Sequence, residues 1–129
     1  MKKKIVITGG EGRFAQILKK NNKKLNILFS NKKELNILNI NSINRYLKKN
    51  KPKYLIHAAA LSRPMNIHDR QISKSIDLNI IGTANIVKVC SELKIKLIYF
   101  STGYVYEGKI GNYKEVDPVL PINNYAWSK

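Results

Sequence analysis

Cysteine, acidic residues and long apolar runs are all scarce in this chain. Its one cysteine, Cys90, excludes an internal disulfide, so we expect a reducing, cytoplasmic location. No apolar stretch approaches the ~20 residues of a membrane-spanning helix. No cleavable apolar leader follows the opening lysines at 2–4, and we predict no membrane partner. The two histidines are not spaced with cysteines or acids as metal ligands are, so no metal site is predicted.

Basic residues outnumber acidic ones by 24 to 8, which gives a net charge of +16 at pH 7. A surplus of this kind can indicate a nucleic-acid-binding surface. The lysines, however, are dispersed in pairs such as Lys19–Lys20, without an arginine-rich run or a basic stretch interleaved with aromatic residues. We therefore interpret the charge as a solvated basic surface and do not expect nucleic acid as a partner.

Short apolar runs alternate with amphipathic segments along the 129 residues. They predict strands at 4–8, 25–29, 54–57 and 95–100, and helices at 12–20, between Ser42 and Pro52, and continuously over 73–93. Ser42 is the expected N-cap of the second helix. This alternation indicates a parallel sheet covered on both faces, in a doubly wound α/β domain. We expect the first strand to lie beside both the second and the fourth.

A glycine-rich turn joins the first predicted strand to the first helix. Gly9, Gly12 and Ala15 follow a Gly-x-x-Gly-x-x-Ala spacing, rather than the commonest dinucleotide fingerprint, Gly-x-Gly-x-x-Gly. Gly9 would allow the tight bend, and Gly12 would let phosphate groups approach the backbone N–H groups at the helix start. The pattern favours a dinucleotide site, and the alternative is a purely structural turn.

The segment after the second predicted strand bears on the choice of dinucleotide. An Asp or Glu that binds the ribose 2′-hydroxyl of NAD(H) often stands there. Here Ser30, Asn31 and Lys32–Lys33 precede the first carboxylate, Glu34. Hydroxyl, amide and ammonium groups suit a 2′-phosphate, which favours NADP(H) over NAD(H). Both cofactors stay open, because the lysines are equally compatible with a solvated loop.

Tyr125 and Lys129 are four residues apart at the end of the chain. On a helix this spacing puts both side chains on one face, where the ammonium would lower the pKa of the phenol from about 10. Such a phenol can exchange protons near neutral pH, as carbonyl/alcohol redox chemistry requires. Many helices carry this spacing by accident, so its significance depends on the glycine turn and on Ser101–Thr102 upstream.

Five segments, in order, resemble the landmarks of the extended short-chain dehydrogenase/reductases, which are NAD(P)-dependent nucleotide-sugar epimerases, dehydratases and reductases. They are 8–15, 56–60, 77–79, 101–106 and 125–129. Within that superfamily, 34–39 and 101–108 most resemble the dTDP-4-dehydrorhamnose reductase family. Asn36 and Asn39 replace acids of that family, Gly103 replaces an Asp, and His57 replaces an Asn. The stretch 57–60 is closer to the epimerases and dehydratases.

The resemblance implies an NAD(P)-dependent oxidoreductase that reduces a 4-keto sugar nucleotide. A nucleotide-sugar epimerase or dehydratase is one alternative, and a non-catalytic NmrA-like dinucleotide-binding module is another. Tyr125 would be the general acid, Lys129 would bind the nicotinamide ribose, and Thr102 would polarise the substrate carbonyl. The cofactor-binding residues that the resemblance and the turn imply are Gly9, Gly12, Arg13, Phe14, Ser30, Asn36, Ile37, Ala58, Ala59, Ala60, Asn79 and Lys129. His57 and Cys90 are interpreted as core residues.

The superfamily has further strands and a C-terminal substrate domain that the resemblance does not find in residues 1–129. We therefore interpret the chain as the N-terminal part of an NAD(P)-binding Rossmann domain, truncated at the Tyr-x-x-x-Lys helix. We expect little or no catalysis from this part alone and an aggregation-prone open sheet edge. For the full-length protein the resemblance implies a nucleotide-sugar substrate, whose identity it leaves open, and it allows a homodimer.

Overall fold

Four short parallel strands form one sheet in the computed structural model, which describes residues 3–129. The strands are β1 (Lys4–Thr8), β2 (Asn26–Phe29), β3 (Tyr54–His57) and β4 (Lys96–Tyr99). Each one falls within a β-rich run of the sequence, and all neighbouring pairs are parallel. The predicted α/β class, a parallel sheet with helical crossovers, is confirmed.

Six α-helices and two other helical segments connect and follow the strands. The α-helices are α1 (Arg13–Asn21), α2 (Ile40–Asn50), α3 (Ile67–Arg70), α4 (Ile72–Ser75), α5 (Gly82–Glu92) and α6 (Asn124–Trp127). A π-helical segment, Ile76–Ile81, joins α4 to α5, and a 3-10 turn, Gly103–Val105, follows β4.

The N-cap of α2 is Asn39, so the prediction of Ser42 at this position is wrong. The Asn39 side chain accepts a hydrogen bond from the Ser42 N–H at 3.0 Å. The Ser42 hydroxyl in turn accepts one from the Asn36 N–H at 3.1 Å. Asparagine caps helices as well as serine does, and here it stands three residues earlier, so the helix begins there.

The strand order is β2-β1-β3-β4, so the prediction that the first strand lies beside the fourth is wrong. β1 pairs with β3 instead, and Val6 lies opposite Leu55, both of them fully buried. β4 is an edge strand, as β2 is at the other side of the sheet, and Lys96 and Ile98 of β4 are exposed. Strands with fully buried residues favour the centre of a sheet, whereas alternating exposure suits an edge.

The long helix predicted over 73–93 is helical from Ile72 to Glu92, but its middle part, Ile76–Ile81, has π-helical rather than α-helical hydrogen bonds. At the end of the π-helical segment the Gly82 N–H donates to the Asp77 carbonyl, five residues back. The wider turn contains Asn79, which is buried and hydrogen-bonded to the backbone of Leu61. A π-helical turn of this kind is frequent at functional sites.

The main hydrophobic core lies on the side of the sheet that α2 and α5 cover. Its buried residues are Val6, Leu35, Ile37, Ile43, Leu47, Leu55, Ile86, Val89 and Cys90. On α1, Ala15 is buried, but Ile17 is 55% exposed. Cys90 is therefore a core residue, as the sequence predicts. Within residues 3–129 no helix is both long and apolar enough to cross a membrane.

Candidate functional site

The glycine turn after β1 is pressed against two other pieces of backbone. Gly9 has φ +67°, and a Cβ there would lie 2.9 Å from the Cα of Ala59, at the end of β3. At Gly10 a Cβ would lie 2.7 Å from the carbonyl carbon of Phe29, the last residue of β2. The Gly10 N–H donates to the Ser30 carbonyl at 2.8 Å, which ties the turn to that strand end. Only glycine fits where these backbones meet.

The N-terminus of α1 is open to an anion. Its N-cap is Gly12, which has no side chain to bond the first N–H groups, and the first turn contains no acidic residue. Arg13 and Phe14 are exposed there, and the Phe14 ring packs edge-on against Phe100 at 5.1 Å. Free N–H groups and the helix dipole together favour a phosphate at this end.

A buried hydroxyl fixes the loop that follows β3. Thr8 Oγ1 accepts hydrogen bonds from the N–H groups of Ala58 and Ala59, each at 3.1 Å. It also lies 2.8 Å from His57 Nδ1. Because this oxygen already accepts two N–H groups, its proton is donated to Nδ1. The Thr8 hydroxyl thus holds Ala58 and Ala59 beside the glycine turn.

His57 is therefore a neutral imidazole with its hydrogen on Nε2. That nitrogen donates to Thr83 Oγ1 at 3.0 Å, and the side chain is 2% exposed. Burial, and secondly the charge of Lys129, lower the pKa of His57 from 6.5 to about 4. The interpretation of His57 as a hydrogen-bonded core histidine is confirmed.

Residues that follow β1, β2 and β3 line a cavity of about 220 Å³, which we call the crevice cavity. It is lined by Gly9, Lys32, Leu35, Asn36, Ile37, Ala59, Ala60 and Leu78. Five of these lining residues are among the predicted cofactor-binding residues, although they come from three separate parts of the chain. The fold thus brings these five predicted residues together around one cavity.

A second, more polar cavity of about 630 Å³ adjoins it, and we call it the basic cavity. Its lining is Glu11, Asn31, Lys32, Lys33, Asn36, Asn39, Ser42 and Arg45. Three cations and one carboxylate give it a positive character that suits a phosphate group. Arg45 was not predicted from the sequence, because it lies on α2, well beyond the loop where a ribose-binding residue is expected.

Ser30 lies close by, but its side chain bonds to the protein backbone in this structure. It is buried, and its hydroxyl donates to the Ile7 carbonyl at 2.8 Å. Its own carbonyl accepts from the Gly10 N–H. The side chain therefore holds the strand end and the turn together, and a contact between Ser30 and a cofactor remains a prediction.

Asn79 joins the loop after β3 to the end of the chain. Its Oδ1 accepts from the Leu61 N–H at 2.7 Å, and its Nδ2 donates to the Leu61 carbonyl at 2.8 Å. Nδ2 also donates to Ser128 Oγ at 2.9 Å, and that hydroxyl donates to the Tyr125 carbonyl at 2.7 Å. Ser128 was missed from the sequence, where it is an unassigned position inside the Tyr-x-x-x-Lys motif.

Tyr125 and Lys129 do not share a helix face, so that prediction is wrong. α6 ends at Trp127, and the Lys129 N–H bonds to the Ala126 carbonyl three residues back, in a tighter turn. Lys129 Nζ lies 4.7 Å from the centre of the Tyr99 ring, and Tyr99 Oη donates to the Lys129 carbonyl at 3.1 Å. Among the described residues, no hydrogen bond joins the side chains of Tyr125 and Lys129.

The surroundings of Lys129 and Thr102 complete the site. Burial lowers the pKa of Lys129. Thr102, half-buried, accepts a hydrogen bond from the Tyr104 N–H at 3.3 Å. The Tyr104 ring packs edge-on against Tyr125, with 6.3 Å between ring centres. Thr102 and Tyr125 are thus neighbours of one tyrosine, and their catalytic roles remain predictions.

Residues 2–129 match the family described as RmlD substrate binding domain. The chain belongs to this family. Its predicted place among the extended short-chain dehydrogenase/reductases, next to the dTDP-4-dehydrorhamnose reductases, is confirmed by the relatives and structures that it resembles. Although the description names substrate binding, the matched residues here form the parallel sheet and the glycine turn.

Three known proteins illustrate the similarity. The dTDP-4-dehydrorhamnose reductase of Bacillus anthracis, solved in complex with NADP, is 29% identical with a TM-score of 0.89, over 99% of this chain and 46% of that one. The reductase of Aggregatibacter actinomycetemcomitans is 28% identical over 130 residues, 98% of this chain and 44% of the relative. Methionine adenosyltransferase 2 subunit beta of Pongo abelii is 29% identical over 92 residues, 71% of this chain and 27% of the relative. The chain thus spans less than half the length of these proteins.

Proposed function

We propose that this chain binds NADP(H) or NAD(H) and forms the cofactor half of an oxidoreductase that reduces a 4-keto sugar nucleotide. The observation that carries the proposal is the crevice cavity, where Gly9, Ile37 and Ala59 meet beside the uncapped start of α1. The donors fit a dinucleotide, because uncapped N–H groups at the start of α1 lie beside this cavity, and the Gly9 turn can lie against the backbone of Ala59 only without a Cβ.

Each end of the site has residues suited to one part of the cofactor. The N–H groups at Arg13 and Phe14 would bind the pyrophosphate, since no side chain caps them, whereas the Gly12 N–H already donates to the Gly9 carbonyl at 2.9 Å. The crevice cavity is mostly apolar in its walls and would take the adenosine end. Lys32 and Arg45, in the basic cavity, would bind a 2′-phosphate, which favours NADP(H).

The dinucleotide supplies the hydride when it is bound, and the chain supplies proton and carbonyl contacts. Tyr125 Oη would give its proton to the carbonyl oxygen of the sugar, and the Thr102 hydroxyl would hydrogen-bond the same oxygen. Lys129 would bind the nicotinamide ribose of that dinucleotide. These steps, and the sugar-nucleotide pocket, are proposed for the whole protein, of which this chain covers less than half of the known reductase length.

Binding of the cofactor can be tested on this chain by calorimetric titration with NADPH and NADH. Gly12→Asp places a carboxylate at the N-terminus of α1 and should weaken both dinucleotides at least about tenfold, which corresponds to about 1.4 kcal/mol of repulsion. Asn22→Asp adds the same charge just beyond the opposite end of the helix and should leave binding unchanged. Equal affinities of the two variants would refute the site.

The preference for NADP(H) has its own test. Arg45→Ala should weaken NADPH roughly five- to tenfold and leave NADH unchanged, because only the 2′-phosphate distinguishes the two. A longer protein that contains this chain should oxidise NADPH when a 4-keto sugar nucleotide is added, and its Tyr125→Phe variant should not. If the parent shows no carbonyl-dependent oxidation, the enzymatic part of the proposal fails. Cofactor that stays bound through purification would instead indicate the epimerase or dehydratase alternative.

A binding subunit without turnover is a second candidate function. It is favoured by the position of Lys129 on Tyr99 rather than beside Tyr125. This candidate expects dinucleotide binding that depends on Gly12, with no oxidation of NADPH under any carbonyl substrate tried. In that case Tyr125→Phe would leave the affinity for the dinucleotide unchanged.

A further inference from the structure

The short helix α3 contacts α6 at two consecutive positions. The His68 ring packs against the Tyr125 ring, with 4.9 Å between ring centres and 51° between planes. The next residue, Asp69, accepts a hydrogen bond at its Oδ1 from Asn124 Nδ2 at 2.8 Å. Two adjacent residues of α3 thus contact two adjacent residues of α6. Neither His68 nor Asp69 belongs to the Tyr-x-x-x-Lys motif.

His68 is itself fixed in place. It is 1% exposed, and its Nδ1 lies 2.7 Å from the hydroxyl of Ser75, which is equally buried. The other nitrogen, Nε2, is the one buried side-chain nitrogen or oxygen in residues 3–129 without a hydrogen-bond partner. A phenylalanine would remove the unsatisfied Nε2 but would leave the buried Ser75 hydroxyl without its partner. The bond to Ser75 therefore sets the plane of the imidazole ring.

We propose that His68 is a positioning residue that fixes the side-chain orientation of Tyr125 through ring contact, while Asp69 holds the start of α6. The importance of that orientation for catalysis rests on the proposed function, in which Tyr125 Oη gives up the proton. A tyrosine that samples several rotamers spends little time with its hydroxyl aligned to a substrate. Tyr104, the other aromatic neighbour of Tyr125, is half exposed and lies farther away, at 6.3 Å, so His68 is the firmer constraint.

The rotamer of Tyr125 can be measured on this chain by NMR, from three-bond couplings and ring NOEs. His68→Asn keeps an amide near Ser75 but removes the ring, and it should let Tyr125 average over several rotamers. His68→Phe restores an aromatic surface and should restore a single rotamer. Leu47→Ala is the control for lost stability, because it empties a core position on α2 and should leave the rotamer single. A single rotamer in the His68→Asn protein would overturn the proposal.

Asp69 gives a second variant that does not disturb the interior, because this side chain is exposed. Asp69→Ala should loosen Asn124 and broaden the rotamer distribution of Tyr125, whereas Asp69→Asn keeps the accepting oxygen and should not. If Asp69→Ala leaves both side chains as ordered as in the parent, α3 does not hold α6.

The catalytic consequence is measured in the longer protein. There His68→Asn should lower kcat about tenfold and change KM less than about twofold, since orientation affects the proton transfer rather than binding. An unchanged kcat would contradict a positioning role, even if NMR shows that the Tyr125 side chain averages over several rotamers. A parent protein without turnover would refute the proposed function, while the NMR result would still decide whether His68 orients Tyr125.

Discussion

Mild acid should destabilise this domain through His57. The folded state keeps the imidazole neutral between Thr8 and Thr83, with a pKa lowered from 6.5 to about 4 by burial and by the charge of Lys129. In the unfolded chain the imidazole takes up a proton near its ordinary pKa. Between those two values the unfolded state binds more protons than the folded state. The stabilisation is therefore complete above the unfolded pKa and is lost as the pH falls toward 4.

The size of the effect follows from the two pKa values of His57. The difference between 6.5 and about 4 corresponds to about 3 kcal/mol when it is fully expressed. Between about pH 7 and about pH 5 the linkage relation gives a loss of about 2 kcal/mol in the free energy of unfolding. That is a substantial part of the stability of a small domain.

Urea unfolding followed by circular dichroism, at constant ionic strength and a series of pH values, measures this loss. His57→Asn removes the titrating group and serves as the control. It is expected to be less stable at neutral pH, since it gives up the imidazole's bonds to Thr8 and Thr83. The quantity to compare is therefore the change in the free energy of unfolding with pH, rather than its value at any one pH. The other ionisable side chains are the same in both proteins, so their contribution cancels when the two slopes are compared.

The parent should lose about 2 kcal/mol more than the His57→Asn variant over this pH range. Parallel slopes for the two proteins would show that His57 has a nearly ordinary pKa when folded. In that case the hydrogen-bonded arrangement of Thr8, His57 and Thr83 would tolerate an imidazolium, contrary to the donor and acceptor roles assigned above.

Three further outcomes are expected. Gly10→Ala should lower the free energy of unfolding, measured in urea, by about 1–3 kcal/mol, because the added methyl would lie 2.7 Å from the backbone of β2. Gly103→Ala is the control, since its methyl enters open space and should leave the stability unchanged. Asn79→Ala breaks three hydrogen bonds and should lower the free energy of unfolding by about 1–3 kcal/mol. The Leu61 amide should then exchange faster with deuterium. Unchanged protection of that amide would argue against its hydrogen bond to Asn79. Burial raises the pKa of the Cys90 thiol to about 11, so iodoacetamide at mildly alkaline pH should label it only after unfolding, as mass spectrometry would show.

Strands and the glycine turn could be predicted because their signals are local. The β-rich run Lys4–Thr8 marks β1, and the small residues at Gly9, Gly12 and Ala15 mark the turn whatever the rest of the chain does. The order of the strands is a different kind of information. It depends on which strand can bury both its faces, and the exposure of Ile98 on β4 becomes evident only when the sheet is assembled.

The candidate site likewise combines residues that the sequence predicts with residues that become evident only in the folded structure. Gly9 and Ala59 were expected to meet a cofactor, and the crevice cavity brings them together. Arg45 and Tyr99 had no sequence signal, since a helix surface and a strand alternate polar and apolar residues for many reasons. The spacing of Tyr125 and Lys129 assumed a helix that continues through both, but α6 ends between them. Motif spacing predicts geometry only as far as the secondary structure on which it depends.

The π-helical segment before α5 has a physical explanation in this site. A π-helical turn is less favourable than an α-helical one, and Asn79 within it makes three hydrogen bonds in a buried position, which offset part of that cost. Two of these bonds go to the backbone of Leu61, so the link does not depend on the side chain there. The third reaches Ser128, whose hydroxyl bonds the Tyr125 carbonyl. Because one amide holds both segments, a ligand that orders the loop after β3 also restrains the segment that carries Tyr125.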